Sequence, residues 1–340
     1  MQKIRVEDAL DSVLIHDMTQ IIPGKVKDAR FRKGHIIKKE DIPVLLSMGK
    51  EHLFVWDQVS GLIHEDEAAI RLGKSVAGPG ISLSEPKEGK VNLITVEDGL
   101  LYASEDGILA LNSLEHIVLA TLHNHTPVKK GQKIAGARVV PLMINELIIL
   151  SAEDVASDFT EPILQVRPLQ PKKVGIVITG SEVYNGRIQD KFGPVLHSKV
   201  TEWGSVVIGQ SYANDNIEMI KAQINEHIAN GAEMILVTGG MSVDPDDVTP
   251  TAIKESGAEI VTYGAPVLPG AMFLLAYLGD IPIMGLPGCV MYARTTVFDL
   301  VVTRILAGER LMRKDIVKYG HGGLCLECKT CVYPNCSFGK

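Results

Sequence analysis

Three segments of this 340-residue chain gather the glycines and side chains needed to hold a phosphate beside a cation. Thr179-Gly180-Ser181-Glu182 is followed by Gly186 and Asp190. Thr238-Gly239-Gly240-Met241-Ser242 runs on to Asp247-Val248-Thr249-Pro250, and Gly285-Leu286-Pro287-Gly288-Cys289 comes last. Adjacent glycines let the main chain approach a ligand closely, and consecutive N–H groups can form a concave nest for an anion. A Gly-Gly pair alone is also the composition of a tight turn, and Leu-Pro-Gly that of a helix entrance. Carboxylates beside such a nest repel a phosphate unless a cation intervenes. Asp190, Asp215 and Asp247, with Glu182 nearby, supply the hard oxygens that Mg²⁺ takes alongside substrate phosphates. The plainer role for these acids is capping or solvation; as an N-cap, Asp215 contributes about 1 kcal/mol.

A second concentration of chemistry lies at the end of the chain, where four of the five cysteines fall as Cys325-x₂-Cys328-x₂-Cys331-x₄-Cys336 after His321-Gly322-Gly323. In a reducing compartment this density argues for metal rather than disulfides. Three thiols at two-residue gaps plus a fourth suit either a [4Fe–4S] cluster or a tetrahedral Zn²⁺ site; a reduced, unstructured tail is the alternative. Such a module can dock a partner metalloprotein or sense redox state. His123-Asn124-His125, set before Thr126-Pro127 and Lys129-Lys130-Gly131, reads as a polar turn, and the basic run from Lys25 to Lys39 as a solvated surface.

The elements that must position these groups follow from hydrophobic pattern. Val174-Gly175-Ile176-Val177-Ile178 is a buried parallel strand. A helix is expected from about Pro194 through Leu196 and Val200 to Gly204, then a strand over Ser205 to Ile208. Asp215 or Asn216 caps a helix with Ile217, Ile220, Ile224 and Ile228 on one face, closed by Gly231. Met234 to Val237 is the third strand, followed by a helix at Thr249 to Ser256, strands near Glu259 to Thr262 and Ile281 to Met284, and a long helix from about Tyr292 to Leu306. This alternation predicts an α/β three-layer sandwich with a mostly parallel sheet, in which ligands bind beyond the carboxyl ends of the strands. Ahead of it stands a mixed, β-rich lobe: a helix at Lys39 to Gly49, a strand at His52 to Trp56, and β segments at Leu93 to Val96, Ile117 to Thr121 and Val139 to Ile149. The expected organisation is an N-terminal lobe over 1–157, a Pro-containing linker over 158–171, the α/β domain over 172–308 and a cysteine-rich tail over 309–340.

Composition bounds the partners. The net charge of −7, with no clustered basic face, disfavours nucleic acid and anionic membrane. The longest apolar stretch, Ala271 to Leu278, is far below the roughly 18 residues of a membrane-spanning helix and reads as a buried strand. The first residues have no signal-peptide pattern, so the cytoplasm is the expected location.

The ordered blocks from Thr179 to Gly288 resemble the molybdopterin-binding domain family of molybdenum-cofactor biosynthesis. That family includes adenylyltransferases, which activate molybdopterin with Mg-ATP, and molybdenumtransferases, which insert molybdate into adenylyl-molybdopterin and release AMP. The resemblance places the adenylyltransferase pattern's catalytic carboxylates on Asp215 and Asp247, which would also hold Mg²⁺. It assigns cofactor binding to Thr179, Gly180, Ser181, Glu182, Gly186, Asp190, Thr238, Gly239, Gly240, Ser242, Pro269, Gly270, Pro287 and Gly288. Asp247-Val248-Thr249-Pro250 is similar to the adenylyltransferase version; Met241-Ser242-Val243, and Pro269-Gly270 before Met272, are similar to the molybdenumtransferase version, as is the opening from Val6 to Met18-Thr19. The chain departs from the latter at Cys289, where Asn is usual, at Ser242-Val243-Asp244-Pro245, where Ser-Val-Gly-Asp is usual, and after Gly308, where a small β domain is usual. The implied activity is molybdate insertion with AMP release, with adenylyl transfer or non-catalytic pterin binding as alternatives. The implied partners are a pterin phosphate, further copies of the chain, and a molybdoenzyme or cofactor-assembly protein.

Overall fold

A computed structural model describes residues 2–22, 24, 26–55 and 61–340. It divides into two compact units, one of Met1–Val96, Tyr102–Leu122 and Lys130–Val166, the other of Glu97–Leu101, His123–Lys129 and Arg167–Lys340.

In the first unit, Gln2–Arg5 pairs antiparallel with His52–Val55, and Met18–Ile22 with Val26–Phe31. Val6, Leu14, Ile37, Leu45 and Leu53 form a small core there, against which the helix Asp41–Ser47 packs. The expected strand at His52 to Trp56 ends at Val55, Trp56 lying outside the described residues, as does Lys25 of the basic run. Further along, the helix Glu65–Val76 packs on an antiparallel sheet in the order Ile81–Leu83, Lys90–Thr95, Lys133–Val139, Ile117–Thr121. The β segment expected over Val139 to Ile149 is corrected: Met143–Asn145 is a short strand, and Asn145 then caps the helix Glu146–Ser157 by accepting from the Leu147 N–H at 2.9 Å. Leu164–Arg167, inside the expected linker, is a strand.

The second unit carries a six-stranded mixed sheet. Its strands are β1 (Lys173–Thr179), β2 (Val206–Ala213), β3 (Met234–Thr238), β4 (Glu259–Tyr263), β5 (Leu274–Leu278) and β6 (Ile281–Leu286), in the spatial order β2-β1-β3-β6-β5-β4. The first four in that order are parallel; β5 runs antiparallel to β6, and β4 antiparallel to β5, so β5 alone is reversed in the sheet. The helices are α1 (Ser181–Tyr184), α2 (Phe192–Glu202), α3 (Ile217–Ala229), α4 (Thr249–Glu255), α5 (Val297–Leu306) and α6 (Arg313–Val317).

Strand side chains alternate between two apolar clusters, as the period of two requires. Val174, Ile176, Ile178, Leu236 and Met284 meet Leu196 and Val200 of α2 and Phe298, Val301 and Ile305 of α5. Val177, Ile235, Val237 and Ile283 meet Ile220 and Ile224 of α3 and Ala252 and Ile253 of α4. Gly175 interrupts the β1 run for a packing reason: a Cβ there would sit 2.7 Å from His227 Cβ on α3.

Several boundaries differ from expectation. α2 begins at Phe192, placing Pro194 third; Asn216, not Asp215, caps α3 by accepting from the Met219 N–H at 3.0 Å. The stretch Ala271 to Phe273 precedes β5 rather than joining it. The helix expected from about Tyr292 starts later, at Val297, with a capping box between Thr296 and Asp299; a separate 3₁₀ turn at Gly288–Met291 precedes it. Every residue of α5 is buried. Leu311, Ile316, Tyr319 and Phe338 join the same cluster, which gives the chain end a defined seat.

Candidate functional site

The carboxyl ends of the parallel strands are tied to one another by side-chain hydroxyls. The Thr249 hydroxyl donates to the Gly239 carbonyl at 2.8 Å, so the Thr179 hydroxyl, 3.0 Å from Thr249 Oγ1, must donate to it. The Thr238 hydroxyl donates to the Leu286 carbonyl at 3.2 Å, and the Gly180 N–H to the Ala213 carbonyl at 3.1 Å. β1, β2, β3, β6 and the start of α4 are thereby held in register around one edge.

Gly239 and Gly240 follow β3 with φ of +97° and +55°. A Cβ at Gly239 would strike the Thr179 carbonyl, and one at Gly240 would lie 2.8 Å from Thr249 Oγ1, so this crossing needs glycine for both conformation and space. The N–H groups of Gly240 and Met241 donate to no protein acceptor among the described residues, whereas the next one, of Ser242, donates to Asp247 Oδ2 at 2.9 Å. Asp247 thus folds the 242–247 loop back on the glycine pair. The Tyr263 hydroxyl bonds the same segment from β4, donating toward the Met241 carbonyl at 3.0 Å and the Ser242 carbonyl at 3.2 Å. Burial, and then the Asp247 charge, raise the Tyr263 phenol above its ordinary range, keeping it a donor.

Asp215 follows β2, and its Oδ2 accepts the Ser181 N–H at 2.9 Å. It bridges two strand ends instead of capping α3. Glu182 and Gly186 are exposed in the segment leading to α2, and Gly186 has φ +68°. Asp190 is absorbed in structure: it accepts the Phe192 N–H at 2.8 Å and the Gly193 N–H at 3.1 Å, with Gln210 Nε2 at 3.1 Å and the Tyr212 hydroxyl at 3.2 Å. Pro269 follows a cis peptide, and Gly270, at φ +124°, packs where a Cβ would meet Val297 Cγ1 at 2.7 Å. Pro287 and Gly288 lead into the four-residue 3₁₀ turn, so the helix start expected there is corrected to a turn too short for a helix dipole to act.

Among the described residues no group of three or more His, Cys, Asp or Glu side chains converges to hold a metal ion. Asp215 and Asp247 each engage a backbone N–H, and neither Asp190 nor Glu182 joins them in a ready-made cage. The fit that remains is the one Mg²⁺ commonly takes, one or two carboxylates completed by substrate phosphates and water.

The tail thiols lie together in another way. Cys325, Cys328, Cys331 and Cys336 line a cavity of about 580 Å³ whose lining also includes Cys289 and Tyr292. All five cysteines are free thiols.

Sequence reasoning missed one buried ion pair beside these loops. Lys199 of α2 donates to Asp299 Oδ1 at 2.7 Å and Oδ2 at 2.8 Å, and to the Arg294 carbonyl at 2.9 Å. Burial pushes the Asp299 carboxyl up and the Lys199 ammonium pulls it back. Lys199 was visible as a charge on the apolar stripe of Leu196 and Val200, a position that requires a partner.

Residues 175–307 match the family model described as "Probable molybdopterin binding domain", and residues 3–57 match a domain of unknown function. A "CinA-like protein" of Mycobacterium sp. (strain MCS) is 33% identical over 90 residues, covering 26% of this chain and 21% of that protein. The chain therefore spans about a fifth of the length of such curated relatives. Among solved structures, the molybdopterin biosynthesis enzyme MoaB of Thermus thermophilus is 20% identical, with a TM-score of 0.34, over 41% of this chain and 98% of that one. The tungsten cofactor synthesizing protein MoaB of Pyrococcus furiosus is 16% identical, with a TM-score of 0.32, over 40% of this chain and 90% of that one.

Proposed function

We propose, on the premise that residues 175–307 form a domain of the molybdopterin-binding family, that this chain binds adenylyl-molybdopterin and inserts molybdate with release of AMP. The observation that carries the reading is the unpartnered pair of N–H groups at Gly240 and Met241, fixed by the Thr179-Thr249-Gly239 hydroxyl relay at the carboxyl ends of the parallel strands. Such a pair is a site for a phosphate oxygen. Preorganised donors of this kind act without reorganising when charge develops on the ligand.

In this reading Gly239 and Gly240 give the pterin phosphate access to the main chain, Ser242 lines its approach, and the buried Thr179 and Thr238 support the glycine pair from behind through their hydroxyl bonds. Gly180, Ser181 and Glu182, with Gly186 beyond them, form the opposite lip, while Pro287, Gly288, Pro269 and Gly270 shape the floor. Asp190 serves by fixing the start of α2. Asp247 and Asp215 would hold a Mg²⁺ ion arriving with the pyrophosphate, whose contribution is charge neutralisation. Asp247 also fixes the loop bearing the anion-binding N–H groups, so one residue sets both the charge and the position of its neighbours. The setting is the cytoplasm, and the chain acts as a homo-oligomer that hands its product to a molybdoenzyme or assembly partner.

A second reading, Mg-ATP-dependent adenylyl transfer to molybdopterin, is favoured by Asp247-Val248-Thr249-Pro250, whose Thr249 hydroxyl is the central link of the relay. Both are tested together. Purified chain is given adenylyl-molybdopterin with molybdate, or molybdopterin with ATP, and AMP or pyrophosphate is measured. AMP release that depends on molybdate is expected; pyrophosphate release with ATP assigns the second activity, and tight pterin binding with neither product ends the enzymatic reading.

A further inference from the structure

The tail cavity is a constructed site. Its ends are fixed by main-chain hydrogen bonds: the Leu268 N–H donates to the Gly323 carbonyl and the Cys325 N–H to the Leu268 carbonyl, both at 2.8 Å, while the Gly339 N–H donates to the Gly322 carbonyl at 2.9 Å. Phe338 is buried in the cluster around α5, and Gly323 and Gly339 sit where a Cβ would collide with Tyr319 and Leu300. Between these anchors the four tail thiols face a single void. Cys325 and Cys336 pack partly against the core, whereas Cys328 and Cys331 are exposed. Arg294 and Lys329 stand at its wall with the fifth thiol, that of Cys289, one residue past the Leu286-Pro287-Gly288 strand end.

Thiols used as small apolar residues are buried singly; five reduced ones around one void, two of them open to solvent, require another account. Thiolates bind soft metals; of the charged residues at the wall, Arg294 is paired with Glu202 at 2.9 Å, and Lys329 stands with Glu327. The size of the void bears on which metal form it suits. Around one zinc ion, Zn–S bonds of about 2.3 Å draw four sulfurs into a tight tetrahedron. Here the cysteines line a void of about 580 Å³, wider than a single zinc ion occupies, and among the described residues no three such side chains form a ready-made metal cage of either kind. In a cluster each thiolate binds a different iron, so its sulfurs stand farther apart around a wider space.

We propose that this cavity seats an iron–sulfur cluster on Cys325, Cys328, Cys331 and Cys336, against which Cys289 brings the loop following β6. On binding, each ligating thiol gives up its proton and forms one Fe–S bond, while two ferrous ions, two ferric ions and four sulfides, all supplied from outside, make up the core without electron transfer to or from the protein. This inference does not depend on the pterin reading: the cluster is detected without any pterin.

The full chain is incubated anaerobically with equal amounts of ferrous and ferric iron and with sulfide, desalted, and analysed for iron, acid-labile sulfide and visible absorption. About four irons and four sulfides per chain, with broad visible absorption, are expected. The double variant Cys328→Ser, Cys331→Ser changes only exposed positions; it should keep its thermal midpoint and lose iron by about tenfold or more. Cluster loading should also slow amide hydrogen exchange across 286–292, and Cys289→Ser should remove that protection while keeping the iron. A parent chain that retains no iron and sulfide, or one that takes up a single zinc ion in a parallel incubation and then excludes the cluster, or iron retained in full by the double variant, overturns the cluster. Unchanged exchange across 286–292 on loading overturns the part given to Cys289.

Discussion

Asp247 joins two roles that a single substitution separates. Its Oδ2 accepts the Ser242 N–H at 2.9 Å, a bond that the carbonyl oxygen of Asn reproduces, while its charge is what a phosphate-bound Mg²⁺ would require. Asp247→Asn therefore keeps the loop and removes the charge. Pterin affinity is expected within a few-fold of the parent, with the thermal midpoint nearly unchanged, while turnover falls by about 10²-fold or more, a loss of roughly 2.7 kcal/mol. Steady-state kinetics beside a direct binding measurement checks the split; full turnover, or loss of the fold, removes Asp247 from the mechanism. At this scale the sequence was informative where chemistry and conformation coincide. The glycines at 239 and 240 are the residues that the positive φ and close approach demand. The partners of the acids were not legible. Nothing in sequence spacing says that Asp215 reaches Ser181, 34 positions away, or that Asp190 turns to its own helix start.

Among elements, the parallel strands were legible because a strand buried on both faces must be apolar throughout, and the α3 face because its isoleucines keep helical spacing. Short aliphatic runs were ambiguous: Leu147 to Leu150 fits either period, and the Asn145 cap decides for helix. The segment containing His125 has the composition of a polar turn, yet it belongs to the second unit and packs His125 near Arg304 and Glu309, with His125 Nε2 3.7 Å from Glu309 Oε1. Burial, and then the Arg304 charge, lower the His125 imidazole to about 4. The sign follows from proton binding. Unfolded His125 takes up a proton as pH falls below about 6.5, and the folded form does not until near 4, so stability present above 6.5 is lost as pH falls between those values. The loss amounts to roughly 3 kcal/mol at most. His125→Gln, which cannot titrate, should flatten this part of the pH dependence, measured as urea-unfolding free energy from pH 7 to pH 4. An unchanged slope would place the titrating group elsewhere.

For the whole molecule, the open question of assembly turns on an edge. β2 is the outermost strand on its side of the sheet, paired only with β1 among the described residues. An edge strand offers unpaired main-chain groups, and natural folds usually guard it with charge or proline. Here Val206, Ile208 and Tyr212, at even-numbered positions along the strand, are 56%, 39% and 40% exposed, with neither lysine nor proline between them. An apolar stripe on an unguarded edge is a surface that a second copy of the same chain can cover, in a closed arrangement that uses the same patch twice. Ile208→Glu adds a charge to that patch and removes little packing within the chain, so its effect on folding should stay within about 0.5 kcal/mol. Light scattering at micromolar concentration is expected to give the parent protein a mass that is a multiple of the 36.9 kDa chain, and Ile208→Glu a mass near one chain with the thermal midpoint lowered only by the lost association. A parent that is already monomeric would leave the stripe without a partner of its own kind, and a variant that remains oligomeric would move the interface away from β2.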